Sequence, residues 1–310
     1  MGDRRITALI AVGVLYAGEL RIPLGLDRYM PVPDSNPLRA ESAAVGRRLF
    51  FDKRLSRDGS VSCATCHDPK RAFTDAEPLA VGIAGRKGAR RTPSIVNRGY
   101  GRSFFWDGRV ASLEEQVLKP VTHPDEMDLT IPEALARLKS DPAYPPLDER
   151  AMADSLASYI RTILAGGSPY DRYVQGGRSA LSADQVSGLK LFRGKAGCAN
   201  CHVGPNLTDE RFHNTGLPGE DPGRFAVTKR EEDRGAFKTP TLRELEVRAP
   251  YMHDGSLATI EDVIEHYDKG GKENPNLDPE MRPLKLTTRE KADLRAFLRA
   301  LTGTVSEGLQ

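Results

Sequence analysis

Residues 46–67 read GRRLFFDKRLSRDGSVSCATCH, and residues 188–202 read GLKLFRGKAGCANCH. Each stretch runs Gly-x-x-Leu-Phe, then a glycine-containing loop, then Cys-x-x-Cys-His. The first motif places Cys63, Cys66 and His67, and the second places Cys198, Cys201 and His202. Each unit opens on a helix with a start signal, Asn36-Pro37 in one and Ser182 with Gln185 in the other. A second echo closes each half. Leu156, Tyr159, Ile160, Ile163 and Leu164 recur at helical spacing with Gly166 as a stop. Leu294, Phe297, Leu298 and Leu301 recur likewise before Gly303. Alternating strands are few. The duplication predicts a mainly α chain of two similar helical domains, residues 21–165 and 166–310, divided near the glycine- and serine-rich stretch 165–182.

All four cysteines lie in the two motifs. Cys-x-x-Cys-His is the attachment pattern for c-type haem: two thiols add to the porphyrin vinyl groups and the next residue is delivered to the iron. Zinc and a disulfide in each loop are the rivals. Zinc pairs normally sit about 15–20 residues apart, whereas these lie in opposite halves, and zinc does not require histidine directly after the second cysteine. The pattern therefore predicts two covalently bound haem c groups, one per domain, in two cytochrome c-like folds.

The totals narrow the partners. Lys plus Arg is 45 and Asp plus Glu is 43, a formal net charge of +2, so nothing favours nucleic acid. Residues 1–20 carry two arginines ahead of an apolar run from Ile6 to Gly18, too short to span a bilayer comfortably. That segment reads as an export signal, cleaved or kept as an N-terminal membrane anchor, although no clean small-x-small cleavage site follows. A buried N-terminal strand or helix is the other reading. Covalent haem attachment normally takes place outside the cytoplasm, so a periplasmic location is expected.

Longer stretches carry a resemblance. LFFDKRLSRDGSVSCATCHDPKRAFTD, FFWDGRVASLEEQ, PDEM, GRFAVTKR, TPTLRELEVRAPYMHDGSLATIEDVIEHYDKGG and LRAFLRALTG follow in order between residues 37 and 303. In these the chain resembles the bacterial di-haem cytochrome c peroxidases and the related MauG group. The resemblance implies that the N-terminal haem reacts with hydrogen peroxide and the C-terminal haem handles electrons. It implies that Glu126 assists cleavage of the O–O bond, that Gln116 holds peroxide or water, and that Pro120 shapes the pocket. It also places Trp106, the single tryptophan, between the two haems.

The same resemblance frames the sixth ligands. Peroxidases of the family often carry a histidine in the loop after the first motif. Here that loop, FTDAEPLAVGIAGRKGARRTPS, has no histidine, methionine or tyrosine, so the first iron is expected to keep an open site unless His123 caps it. Tyr267 stands where MauG-type enzymes have a tyrosine, and the electron-transfer peroxidases a methionine. The second iron is thus read as ligated by His202 and Tyr267, with Met252, Met281 and His266 as competitors. His253, in YMHDG, is expected to be structural. The cluster Arg86, Lys87, Arg90 and Arg91 is a candidate partner of the haem propionates. The family's calcium ion would take the carbonyls of Arg248 and Pro250 and an asparagine. That asparagine position is Arg91, which cannot ligate calcium.

Two functions follow from the resemblance. One is a peroxidase fed by a small cytochrome c or cupredoxin. The other is a MauG-like enzyme whose bis-ferryl haems oxidise side chains of a protein substrate.

Overall fold

The computed structural model describes residues 20–309. The export-signal reading falls, apart from Leu20, outside them. Among the described residues, no helix is long and apolar enough to cross a membrane.

Among the described residues the chain is helix-rich with four short strands. In order come α1 (Ala40–Phe51), α2 (Cys63–Cys66), α3 (Leu113–Gln116), α4 (Lys119–Thr122), α5 (Ile131–Leu138) and α6 (Glu149–Arg161). Strand β1 (Leu164–Gly166) follows, then α7 (Pro169–Val174), α8 (Ala183–Arg193), β2 (Phe212–His213), α9 (Phe225–Thr228) and β3 (Phe237–Lys238). The last elements are α10 (Ile260–Lys269), α11 (Thr288–Arg299) and β4 (Thr304–Ser306). The strands form two antiparallel pairs, β1 with β4 and β2 with β3.

The two echoes are pairs of packed helices. Helix α1 lies along α6 and α8 lies along α11. Phe50 of α1 meets Tyr159 of α6 edge-on at 5.2 Å between ring centroids, and Phe192 of α8 meets Phe297 of α11 at 5.1 Å. Each pair centres its own apolar cluster, one running from Leu49 to Ala165 and the other from Leu181 to Leu301. The shared glycine explains how close the helices come. A Cβ on Gly46 would overlap the Ser155 carbonyl of α6, and a Cβ on Gly188 would overlap the Asp293 carbonyl of α11. Because the clash is with backbone, Gly46→Ala and Gly188→Ala are each expected to destabilise the protein by about 1–3 kcal/mol. A thermal or urea melt checks this; an unchanged midpoint would mean that the helices do not cross at these glycines.

Of three start and stop signals, one lands as expected and two do not. Ser182 caps α8 with Gln185 as expected. Asn36, however, caps nothing: α1 begins at Ala40 after Arg39. The Asn36 amide is buried and donates to Glu114 (2.7 Å) and to the Asp154 carbonyl (3.0 Å), tying the entry segment to α3 and α6. Ile163 and Leu164 lie beyond the end of α6, and Gly166 belongs to β1, where it pairs with Thr304. The C-terminal strand crosses back onto the first half, and that non-local pairing overrides the local helix period.

Candidate haem-binding active site

Both Cys-x-x-Cys-His motifs are built alike. Helix α2 is capped by a reciprocal Ser62–Thr65 pair, and the His67 N–H returns to the Cys63 carbonyl at 2.9 Å. In the second motif a single 3₁₀ turn, Cys198–Asn200, ends with the His202 N–H on the Cys198 carbonyl, also at 2.9 Å. His67 Nδ1 meets the Phe73 carbonyl at 3.0 Å, and His202 Nδ1 meets the Leu207 carbonyl at 3.1 Å. A carbonyl only accepts, so Nδ1 carries the proton in each ring and Nε2 keeps its lone pair for a metal. Burial pushes both imidazoles below the ordinary range, His202 to about 4, which also favours the neutral, ligating form.

The two motifs line one cavity of about 1020 Å³. Its apolar walls include Leu113, Val117 and Ile160 in the first half and Leu245, Leu294 and Leu298 in the second. All four cysteines are free thiols, and burial raises Cys63, Cys66 and Cys198 to about 12. These are neutral, unbridged thiols facing an apolar space. The chemistry of this donor set fits two haem c groups. One side of the cavity offers donors to their carboxylates: among the described residues Arg248 lines it with a buried Nε that has no partner, and Lys238, lowered to about 6 by burial and so largely neutral, keeps an N–H beyond its bond to the Ser103 carbonyl.

The structure brings the expected catalytic and iron-ligand residues to this cavity. Trp106, Gln116, Pro120, Glu126 and Tyr267 all line it with the two motifs. Trp106 donates its indole N–H to the Arg91 carbonyl at 2.8 Å. Glu126 sits in the turn after α4, with its main-chain N–H on the His123 carbonyl at 3.1 Å. Burial raises its carboxyl above the ordinary range, partly opposed by His123 and Arg109. The loop 73–94 presses on this turn. Gly82 N–H bonds the Arg86 carbonyl, Ile83 N–H bonds the Glu126 carbonyl, and a Cβ on Gly82 would overlap the main chain of Asp125. His123 also reaches the cavity, its Nδ1 accepting from the Asp125 N–H at 3.2 Å and standing 4.0 Å from Glu126.

At the second motif, α10 is fixed at its start by a Thr259–Asp262 capping box and at its end by Gly270 at φ 83°, a left-handed stop. Burial raises the Tyr267 phenol, and the next influences on it are Cys198 and Cys201, which ties it to that motif. Its competitors separate. His266 is committed, with Nε2 2.8 Å from the Thr215 carbonyl, while Met252 and Met281 share the cavity wall with Tyr267. His253 is buried and stacked on Phe237 at 3.5 Å, as a structural residue would be.

The expected propionate cluster does not converge. Arg86 turns to the Pro124 carbonyl and Asp128. Arg90 is spent on Asp221 (2.7 and 2.8 Å) and Asp107 (2.7 Å), and Arg91 is buried among carbonyls. Sequence reasoning missed Gly82, Lys238 and a charged trio beside Cys201. There His213 holds Asp278 at 2.6 Å and Asp209 at 2.9 Å. Hydrogen bonding to Cys201, then to these carboxylates, raises His213 to about 10. Its i,i+4 spacing from Asp209 was the one available signal.

Two such motifs on one cavity supply the donors that a pair of haems would take. Residues 40–179 match the family model described as di-haem cytochrome c peroxidase. The chain is 46% identical over 286 residues to the methylamine utilization protein MauG of Methylorubrum extorquens, covering 88% of this chain and 81% of that protein. It is 35% identical over 319 residues to a cytochrome-c peroxidase of Pseudomonas sp., covering 88% and 84%. A solved MauG-like protein associated with microbial copper homeostasis superposes with a TM-score of 0.82 at 34% identity, over 90% of this chain and 95% of that one. The chain belongs to the di-haem cytochrome c peroxidase family and is an oxidoreductase.

Proposed function

We propose that the protein is a periplasmic di-haem peroxidase that reduces hydrogen peroxide at its N-terminal haem, with electrons passed in through its C-terminal haem. The observation that carries this is the convergence of Glu126, Gln116, Pro120 and Trp106 on the cavity shared by both motifs. Residues 21–165 form the peroxidatic domain and 166–310 the electron-transfer domain. The two separate apolar clusters support that division.

Cys63, Cys66 and His67 would hold the first haem, and Cys198, Cys201, His202 and Tyr267 would hold the second. When bound, the haem iron supplies the redox change that lets the O–O bond break. The residues do the rest. The Glu126 carboxylate takes a proton from one peroxide oxygen and returns it to the oxygen that leaves as water. Gln116 orients peroxide by hydrogen bonding, and Pro120 keeps the pocket apolar. Trp106 lies between the halves as an oxidisable ring that shortens the electron path. Two electrons from the donor and two protons complete the reduction of each peroxide to two waters. The donor is a small redox protein, a cytochrome c or cupredoxin.

A second reading has a specific observation behind it. Tyr267 beside the second motif, together with the similarity to MauG, favours a protein substrate whose side chains are oxidised. Turnover with peroxide and a reduced small cytochrome separates the two, since the second reading expects slow turnover.

The basic test is mass. Denatured protein from the periplasm is expected to weigh two haems more than its polypeptide and to keep its haem stain. Haem lost on denaturation, or zinc in its place, would remove the proposal.

A further inference from the structure

The buried guanidinium of Arg91 has five N–H groups and five acceptors. Nε donates to the Pro250 carbonyl at 2.5 Å. Nη1 donates to Thr74 Oγ1 at 2.7 Å and to the Thr92 carbonyl at 2.8 Å. Nη2 donates to the carbonyls of Asp75 at 2.9 Å and Arg248 at 2.8 Å. Three of these acceptors belong to the first half of the chain and two to the second. Arg71 adds a bond to the intervening Ala249 carbonyl at 3.0 Å, so every carbonyl from 248 to 250 is taken by a guanidinium from the first half. Among the described residues, no carboxylate neutralises Arg91 at contact. Asp75 Oδ1 stands 4.0 Å away, and the other oxygen of that carboxylate accepts from Thr92 Oγ1 at 2.5 Å.

Four main-chain carbonyls and a hydroxyl converging on one positive charge are the donor chemistry of a hard cation such as calcium. The planar fork of arginine satisfies all five at once, and a lysine has only three donors to offer. The main chain of the same residue extends the arrangement. The Arg91 N–H donates to the His253 carbonyl at 2.7 Å, and its carbonyl accepts the Trp106 indole N–H at 2.8 Å.

We propose that Arg91 is a built-in cation that joins the two halves in an oxygen cage, makes the protein independent of calcium, and positions Trp106. The last part rests on the reading of Trp106 as the electron path; the cage does not. Removing the side chain strands desolvated carbonyls from both halves. It also leaves a set of hard oxygen donors that must draw inward to reach calcium's bond length of about 2.3–2.6 Å.

The test uses the di-haem holoenzyme. Wild type is expected to bind no calcium by titration calorimetry and to melt at the same temperature in EDTA and in millimolar calcium. Arg91→Ser is expected to melt about 10 °C lower and to recover part of that loss in calcium but not in magnesium, which demands a tighter octahedral site. Arg91→Lys is expected to melt below wild type as well. The indole N–H hydrogen bond, read from the single tryptophan by ultraviolet resonance Raman, is expected to shift in Arg91→Ser and return with calcium. Calcium binding by wild type, or a lower melt in EDTA, overturns the cage, and these arms need no variant. Wild-type melting in both variants overturns it too. A lower melt with an unshifted indole band overturns the positioning role alone. The electron-path reading is tested apart, by single-turnover transfer between the haems in Trp106→Phe. Its failure would leave the calcium arms untouched.

Discussion

Glu126→Gln is expected to keep both haems and to slow the reaction with peroxide by roughly 10²–10⁴-fold, the range acid–base groups supply. Glutamine preserves the size of the side chain and most of its polar contacts but neither takes nor returns a proton. The pH profile carries a second signature. Burial raises the Glu126 carboxyl, so it stays protonated to a higher pH than an exposed glutamate. The protonated form is far too weak a base to receive the peroxide proton. The rate should therefore fall as pH drops through that raised value, with an acid limb above the ordinary carboxylate range. The limb should vanish in Glu126→Gln. Stopped-flow mixing with peroxide across pH checks both. An unchanged rate in the variant, or the same acid limb, would take Glu126 out of the mechanism.

Tyr267→Met is expected to raise the midpoint potential of the C-terminal haem by on the order of 0.1 V or more, within the roughly 0.8 V that axial ligands span. A phenolate is anionic and favours the ferric state, whereas a thioether is neutral and favours the ferrous one. Burial raises the Tyr267 phenol, so without a metal this residue is neutral. A bound cation reverses that preference, because coordination is what removes the proton. Haem attachment should be unaffected, since Cys198, Cys201 and His202 lie on another segment. The variant should also accept electrons from a small cytochrome more readily than wild type. A redox titration followed optically decides the matter. If wild type already titrates high and shows a methionine–iron charge-transfer band, Met252 or Met281 is the ligand, for both share the cavity wall. The peroxidase reading would then stand without its MauG-like rival.

Much of this site was legible because its parts are local. Cys-x-x-Cys-His is a spacing, and a spacing holds wherever the chain goes. The turn that carries His67 also supplies its Phe73 acceptor, and the turn after His202 supplies Leu207. The helix pairs were readable from period and caps, and Gly46 and Gly188 mark their crossings. Trp106, Gln116, Pro120 and Glu126 were placed by similarity of order, and the fold then brought them to one wall.

What failed was long-range. Asn36 reads as a helix cap but is drawn into a bond with Glu114 and the Asp154 carbonyl. Of four clustered cations that read as one patch, three disperse: Arg86 to Asp128, Arg90 to Asp221 and Asp107, and Arg91 to a set of carbonyls. The sequence by itself determined the helical class, the duplicated unit and the donor set for the cofactors, because these depend on residues within a few turns of one another. Only the tertiary structure decided which charges are already spent, that Gly82 lets a loop reach Glu126, and that Arg91 fills an oxygen cage between the halves. Those outcomes depend on which main-chain carbonyls and carboxylates meet across the fold. A carbonyl is present at every residue, so no pattern of side chains announces where five acceptors will converge.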